Sequence, residues 1–209
     1  MGRIEGRVLL LGDDVPAPTR VENTTDPEVC GRAHTLEDLV VALDGRGVQH
    51  AIVSLLDVPE SVIPSFEPGR LVLDNANCRF LPHAAVLTLG STVEAVNSDA
   101  VLHTTHLYGP AEVNVSLPQK GARSERRLDR PGTYSVRCDV HGWMQATIRV
   151  DPHPFHAVTD ERGAFRIEGV PEGRYRLEVW HEKLGTLSKE VDVREGTTTD
   201  VNVEYSLAR

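Results

Sequence analysis

Cys138-Asp139-Val140-His141-Gly142-Trp143-Met144 puts a thiolate, an imidazole and a thioether into one short stretch, and His103 supplies a second imidazole about one hairpin earlier. Two imidazoles and a thiolate in a trigonal plane, with a thioether as a weak axial fourth, are the donors of a blue-copper centre. The thiolate favours Cu(I), the imidazoles suit both oxidation states, and the chemistry would be one-electron exchange at a single copper ion. Methionine is scarce enough to sharpen the reading: the chain has two, and the other is Met1.

The elements that must position these donors are strands. Arg130-Pro131-Gly132-Thr133-Tyr134-Ser135-Val136-Arg137 is a Pro-Gly turn followed by alternating residues, so Cys138 stands at a strand's end. A tight loop then carries His141 and Met144 around one point, and residues 146–150 resume the alternation as a returning strand. Residues 87–96 read as a hairpin leading into Asn97-Ser98-Asp99, with His103 at the far end of that loop. His106 competes with His103 as first ligand. Residues three apart on a strand face opposite sides, so only one points inward, and the distance from Asn97 favours His103.

At these residues the chain resembles the cupredoxins, of the amicyanin/plastocyanin-like type. The carrying features are Cys-x-x-His-x-x-Met after a Gly-Thr-Tyr strand, and Asn97 followed by five residues and then His103; the resemblance covers residues 70–151. The resemblance implies a Greek-key β-sandwich over residues 68–152, with His103, Cys138, His141 and Met144 holding one type 1 copper ion. It also implies that His141 reaches the surface in an apolar patch as the electron port. Thr104 is a departure, because many cupredoxins have Asn directly after the first His; the hydrogen bonding around the sulfur is therefore open.

Composition agrees with an all-β chain. The 209 residues are 40% hydrophobic and 25% charged, aromatics are sparse at 5%, and Val and Thr are plentiful. A net charge of −9 excludes nucleic acid and an anionic membrane surface as partners, and no apolar run is long enough for a membrane-spanning helix. If Cys138 holds a metal, Cys30 and Cys78 remain, as a disulfide or as two buried thiols. The disulfide would need an oxidising compartment, so a periplasmic or extracellular location is expected although the first residues show no signal peptide. Cys78 with His83 is a weaker second metal candidate, lacking further donors at motif spacing.

Beyond Asp151-Pro152 the character changes. Thr159-Asp160-Glu161-Arg162-Gly163-Ala164-Phe165 and Pro171-Glu172-Gly173-Arg174-Tyr175 fix turns between strands. They resemble the carboxypeptidase regulatory-like domain, a small transthyretin-like β-sandwich. That family begins with two further strands, which residues 6–11 and 47–55 would fill. The expected organisation is a discontinuous sandwich of residues 1–67 and 153–209, with the cupredoxin inserted between them. A C-terminal piece of this size is small to bury a core alone. Residues 39–43 read as one more strand of the N-terminal piece. His153, His156 and His181 are assigned no metal.

The expected function is electron transfer between redox partner proteins. The alternative is copper storage or delivery without electron transfer. An enzyme is not expected, because the chain offers neither paired His-x-His motifs nor an open coordination position.

Overall fold

The computed structural model describes residues 1–12 and 15–207. Asp13 and Asp14, read as the turn after the first strand, and Ala208 and Arg209, at the end of the second module, lie outside the described residues. The chain is almost wholly β and divides into two compact units.

The first unit comprises Met1–Pro18, Asp38–Phe66 and His153–Arg209. Its longest N-terminal element, Gly2–Leu11, pairs antiparallel with Ala164–Val170 and parallel with Thr198–Asp200 and Val203–Ser206. The facing sheet runs in the order His156–Val158, Ile52–Leu56, Gly173–His181, Gly185–Val193. Strand alternation decides which side chains close the sandwich. In Gly173–His181, Tyr175, Leu177 and Val179 are buried while Arg174 and Arg176 are exposed. The inward residues meet Ile4, Val8 and Leu10 in one core. Residues 39–43, read as a strand, are irregular: Val41 makes one isolated bridge to Val48, and the following residues form a turn in which Arg46 has φ 57°. The backbone bonds that hold this segment, Ala42 N–H to the Gly47 carbonyl and Gln49 N–H to the Val40 carbonyl, close a turn and do not extend into a ladder.

The second unit comprises Thr19–Glu37 and Glu67–Pro152. One sheet has the order Val113–Leu117, His103–Tyr108, Gly132–Arg137, Gln145–Asp151, Ala84–Thr88, and the other Arg123–Arg127, Thr92–Asn97, Arg70–Ala76, Arg79–Leu81. Ala84–Thr88 and Thr92–Asn97 therefore lie in different sheets, and the hairpin expected over residues 87–96 is instead a crossing between sheets. Each strand takes a parallel partner, Gln145–Asp151 and Arg70–Ala76 respectively. Gly90, at φ 87°, occupies the left-handed region that the crossing turn needs. Leu73, Phe80, Tyr134, Val136 and Ile148 fill the core, and the Tyr134 hydroxyl donates to the Arg130 carbonyl at 2.9 Å.

Residues 19–37, placed by the sequence with the first module, cluster with the second unit instead. A small hairpin, Arg20–Glu22 with Ala33–Thr35, flanks the short helix Pro27–Cys30. The Cys30–Cys78 disulfide ties that helix to the turn before Arg79–Leu81. His34 stacks on Trp143 with ring centroids 4.4 Å apart. These tertiary anchors have no counterpart in local sequence pattern. Cys78, being oxidised, is no metal ligand with His83.

Residues 123–130 include an edge strand, Arg123–Arg127, whose Arg123 bonds the largely buried Glu94 at 2.8 Å, while Arg70 bonds its other oxygen at 2.9 Å. Arg123 first and Arg70 second hold the Glu94 carboxyl below its ordinary 4.5. A carboxyl depressed in the folded state adds stability above its unfolded value, and that stability is lost as pH falls through the folded value. Glu94→Gln should therefore lower the melting temperature at pH 7 and flatten its decline below pH 4.5; parallel curves for the two proteins would contradict this.

Candidate metal centre

The site forms where two strand ends meet. His103 opens the strand His103–Tyr108, and Cys138 immediately follows Gly132–Arg137; these strands are neighbours, with Arg137 opposite His106. Asn97 shapes the loop before His103: its amide donates to the Val101 and Leu117 carbonyls at 2.7 and 2.9 Å, and its oxygen accepts from the Asp99 N–H. The 138–144 loop closes on itself, the Met144 N–H donating to the His141 carbonyl at 2.9 Å.

Cys138 Sγ lies 3.9 Å from His103 Nδ1 and 3.7 Å from His141 Nδ1. An ion about 2.0 Å from nitrogen and about 2.3 Å from sulfur in a trigonal plane spans N···S edges of about 3.7 Å. Both imidazole nitrogens thus stand at the N···S separation that one borderline-soft ion requires, one donor atom from each of the three residues lies within 4.8 Å of the others, and all three side chains are buried. Met144, the expected axial donor, is 1% exposed at the end of the same loop. His106 faces away, its Nδ1 against Asp139 at 3.1 Å and its Nε2 against Glu112 at 3.1 Å.

The electrostatics suit a thiolate. Burial pushes the Cys138 thiol up, but the His103 hydrogen bond and the N–H groups of Thr104, His141 and Val140 outweigh it and hold it at about 6. Burial likewise pulls His103 down, while its bonds to Cys138 and Asp99 raise it above its ordinary value. Thr104, the departure noted in the sequence, meets the sulfur directly: its N–H donates to Sγ at 3.4 Å, and its hydroxyl lies 3.8 Å from Sγ while accepting the Asp139 N–H at 2.8 Å.

Two features depart from the sequence reading. His141, expected at the surface, has no exposed area, because residues 19–37 cover it: Nε2 bonds Asp26 Oδ2 at 3.1 Å and lies 3.7 Å from Cys30 Sγ. The remote nitrogen of His103 likewise bonds Asp99 Oδ2 at 3.0 Å. Sequence reasoning missed both carboxylates. Asp99, four residues before His103, could have been found from the loop it shares with that ligand; Asp26 gave no signal.

A His–Cys–His cluster in a Greek-key sandwich is thus what the second unit presents. Among known proteins, the family model of the carboxypeptidase regulatory-like domain matches residues 144–206. No curated protein matches the chain. Similar solved structures include a copper-containing nitrite reductase from Thermus scotoductus SA-01, 26% identical, covering 42% of this chain and 23% of the other, at TM-score 0.38. This chain therefore spans about a quarter of the reductase's length. A point mutant of amicyanin in its reduced Cu(I) form is 25% identical, over 43% of this chain and 96% of the other, at TM-score 0.35. A purple cupredoxin from Nitrosopumilus maritimus is 21% identical, over 40% and 99%, at TM-score 0.34.

Proposed function

We propose that the chain is an exported type 1 copper protein that carries single electrons between redox partner proteins. One copper ion would be held by His103, Cys138 and His141, with Met144 as the weak axial donor. The observation that carries the reading is the buried Nδ1–Sγ–Nδ1 cluster with 3.7 and 3.9 Å edges. Bound there, copper supplies a one-electron Cu(I)/Cu(II) couple with donors acceptable to both states.

The chain's own residues favour a carrier over an enzyme. Burial of all three donors keeps water and substrate from the cluster, whereas substrate chemistry would need an open position. The Thr104 N–H to the sulfur and the Met144 N–H to the His141 carbonyl fix the loop so that little needs to move with each electron. The Cys30–Cys78 disulfide supports an oxidising, extracytoplasmic compartment. Among the described residues, no helix is long and apolar enough to cross a membrane.

Copper storage or delivery is the second reading, favoured by the burial of His141, which would slow electron exchange as well as metal loss. Adding Cu(II) to the purified protein separates the two. A carrier develops an intense visible thiolate-to-copper band and cycles reversibly by one electron in a potentiometric titration. A colourless protein that retains Cu(I) supports storage, and one that binds no copper overturns both.

A further inference from the structure

Asp26 occupies the N-cap position of the helix Pro27–Cys30, yet its side chain makes no capping bond. Aspartate is among the best N-cap residues because its carboxylate accepts the helix's orphan N–H groups. Here the backbone is left-handed, φ 48° and ψ 45°, and the carboxylate turns to His141 Nε2 instead. A non-glycine residue is held in that region at a cost in backbone strain and persists where its surroundings over-determine it. A forgone cap and a left-handed backbone coincide at the residue whose carboxylate meets the remote edge of His141.

The segment that brings Asp26 there is anchored on both sides. Asn23 donates to the Gly31 carbonyl at 2.6 Å and accepts the Thr25 N–H at 2.8 Å, closing the loop around the helix. Cys30 is bonded to Cys78, whose carbonyl accepts the Trp143 indole N–H at 3.0 Å. The N–H groups of Asn77 and Cys78 both donate to Asp99, the carboxylate that holds His103. One disulfide thus joins the segment that carries Asp26, the partner of His141, to the turn whose N–H groups hold Asp99, the partner of His103. Imidazole ligands commonly donate their other N–H to a carboxylate, which fixes tautomer and ring orientation.

We propose that residues 19–37 are a disulfide-anchored cap on the metal centre, in which Asp26 is a positioning residue for His141 and the cap seals that ring's outer edge. By accepting the Nε2 proton, Asp26 leaves the Nδ1 lone pair directed at the space beside Cys138. Access to the ring from outside then requires displacement of the cap. This rests on the copper reading only where a bound ion is measured; the sealing of His141 is testable without metal.

The test is carbethoxylation of the metal-free full-length protein with diethyl pyrocarbonate, followed by peptide mapping. Cleavage after Arg137 and Arg149 yields a peptide in which His141 is the only histidine. In the native protein His141 should react far more slowly than free N-acetylhistidine. Asp26→Ala, and separately Cys30→Ser with Cys78→Ser, should raise its rate roughly tenfold or more, as a segment stripped of its anchors opens at low local free energy, while His103 stays protected. Native His141 reacting like free imidazole, or unchanged in variants that still protect His103, would overturn the cap. Should the double cysteine variant fail to fold, Asp26→Ala, which keeps the disulfide, decides alone. With copper bound, Asp26→Ala should raise the reduction potential, because loss of a carboxylate disfavours the more positive Cu(II) state; Asp26→Glu should restore it. A potential unmoved by Asp26→Ala would show the residue to be merely structural. Absence of any copper band in the native protein would remove the copper reading and leave the carbethoxylation result standing.

Discussion

Cys138→Ser is expected to abolish the intense visible band of the copper-loaded protein and to weaken copper binding by more than about a hundredfold, beyond what loss of a supporting hydrogen bond costs. The substitution nearly conserves volume at a site that is 3% exposed, so the fold should persist and the loss is read as chemistry. The sulfur is held ready for deprotonation: His103 and the N–H groups of Thr104, His141 and Val140 bring it to about 6, so most of it is thiolate at pH 7. A serine hydroxyl in the same place stays protonated at that pH and offers copper a hard, neutral oxygen. The two imidazoles remain, each still bonded through its remote nitrogen to Asp99 or Asp26, so residual colourless Cu(II) binding is expected. Absorption and electron paramagnetic resonance spectra measure the outcome. An undiminished band in the serine variant would mean that Cys138 is not a ligand and would sink the proposed centre.

What the sequence made legible was whatever lies close along the chain or alternates along a strand. Cys138 and His141 share one loop, so their convergence follows from spacing once the Pro131-Gly132 turn is read as the start of a strand. His103 joins them because its strand neighbours that of Cys138. The opposite facing of His103 and His106 follows from strand alternation. The disulfide was left as a choice between two states, and Cys30–Cys78 is its outcome.

What remained hidden depends on contacts that no local pattern encodes. Asp26 and His141 are 115 residues apart, and Asp26-Pro27 reads equally as the start of any short helix. The expectation of an exposed His141 came from family resemblance, and it failed because Asp26 and Cys30 lie over that ring. Residues 87–96 look like a hairpin because both flanks alternate; only the core, with Leu87 and Val93 packed inside it, shows that the strands belong to facing sheets. Residues 39–43 have the apolar content of a strand, but with an isolated bridge and no ladder partner the backbone turns instead.

Gly163→Ala is expected to destabilise the first unit by about 3 kcal/mol, by combining a left-handed backbone with a backbone clash. Gly163 has φ 73°, and a Cβ there would stand 2.5 Å from the Val8 carbonyl oxygen, 2.7 Å from Gly47 Cα and 2.8 Å from the Val48 nitrogen. None of these neighbours is the tip of a flexible side chain, so relief requires backbone to move. That backbone is already engaged: the Val8 N–H donates to the Gly163 carbonyl at 2.8 Å, and the Val48 N–H to the Val8 carbonyl at 2.8 Å. Gly47 is equally tight, since a Cβ there would lie 2.0 Å from the Arg162 carbonyl oxygen. Three stretches far apart in sequence therefore meet backbone to backbone, which is how a sandwich assembled from separated pieces is held together. If they form one cooperative unit, the amides of Val8 and Val48 should lose hydrogen-exchange protection together in the alanine variant, with a lower melting temperature. Protection lost around residue 163 alone, with Val8 and Val48 unchanged, would mean that the N-terminal strands do not depend on the C-terminal segment for their stability.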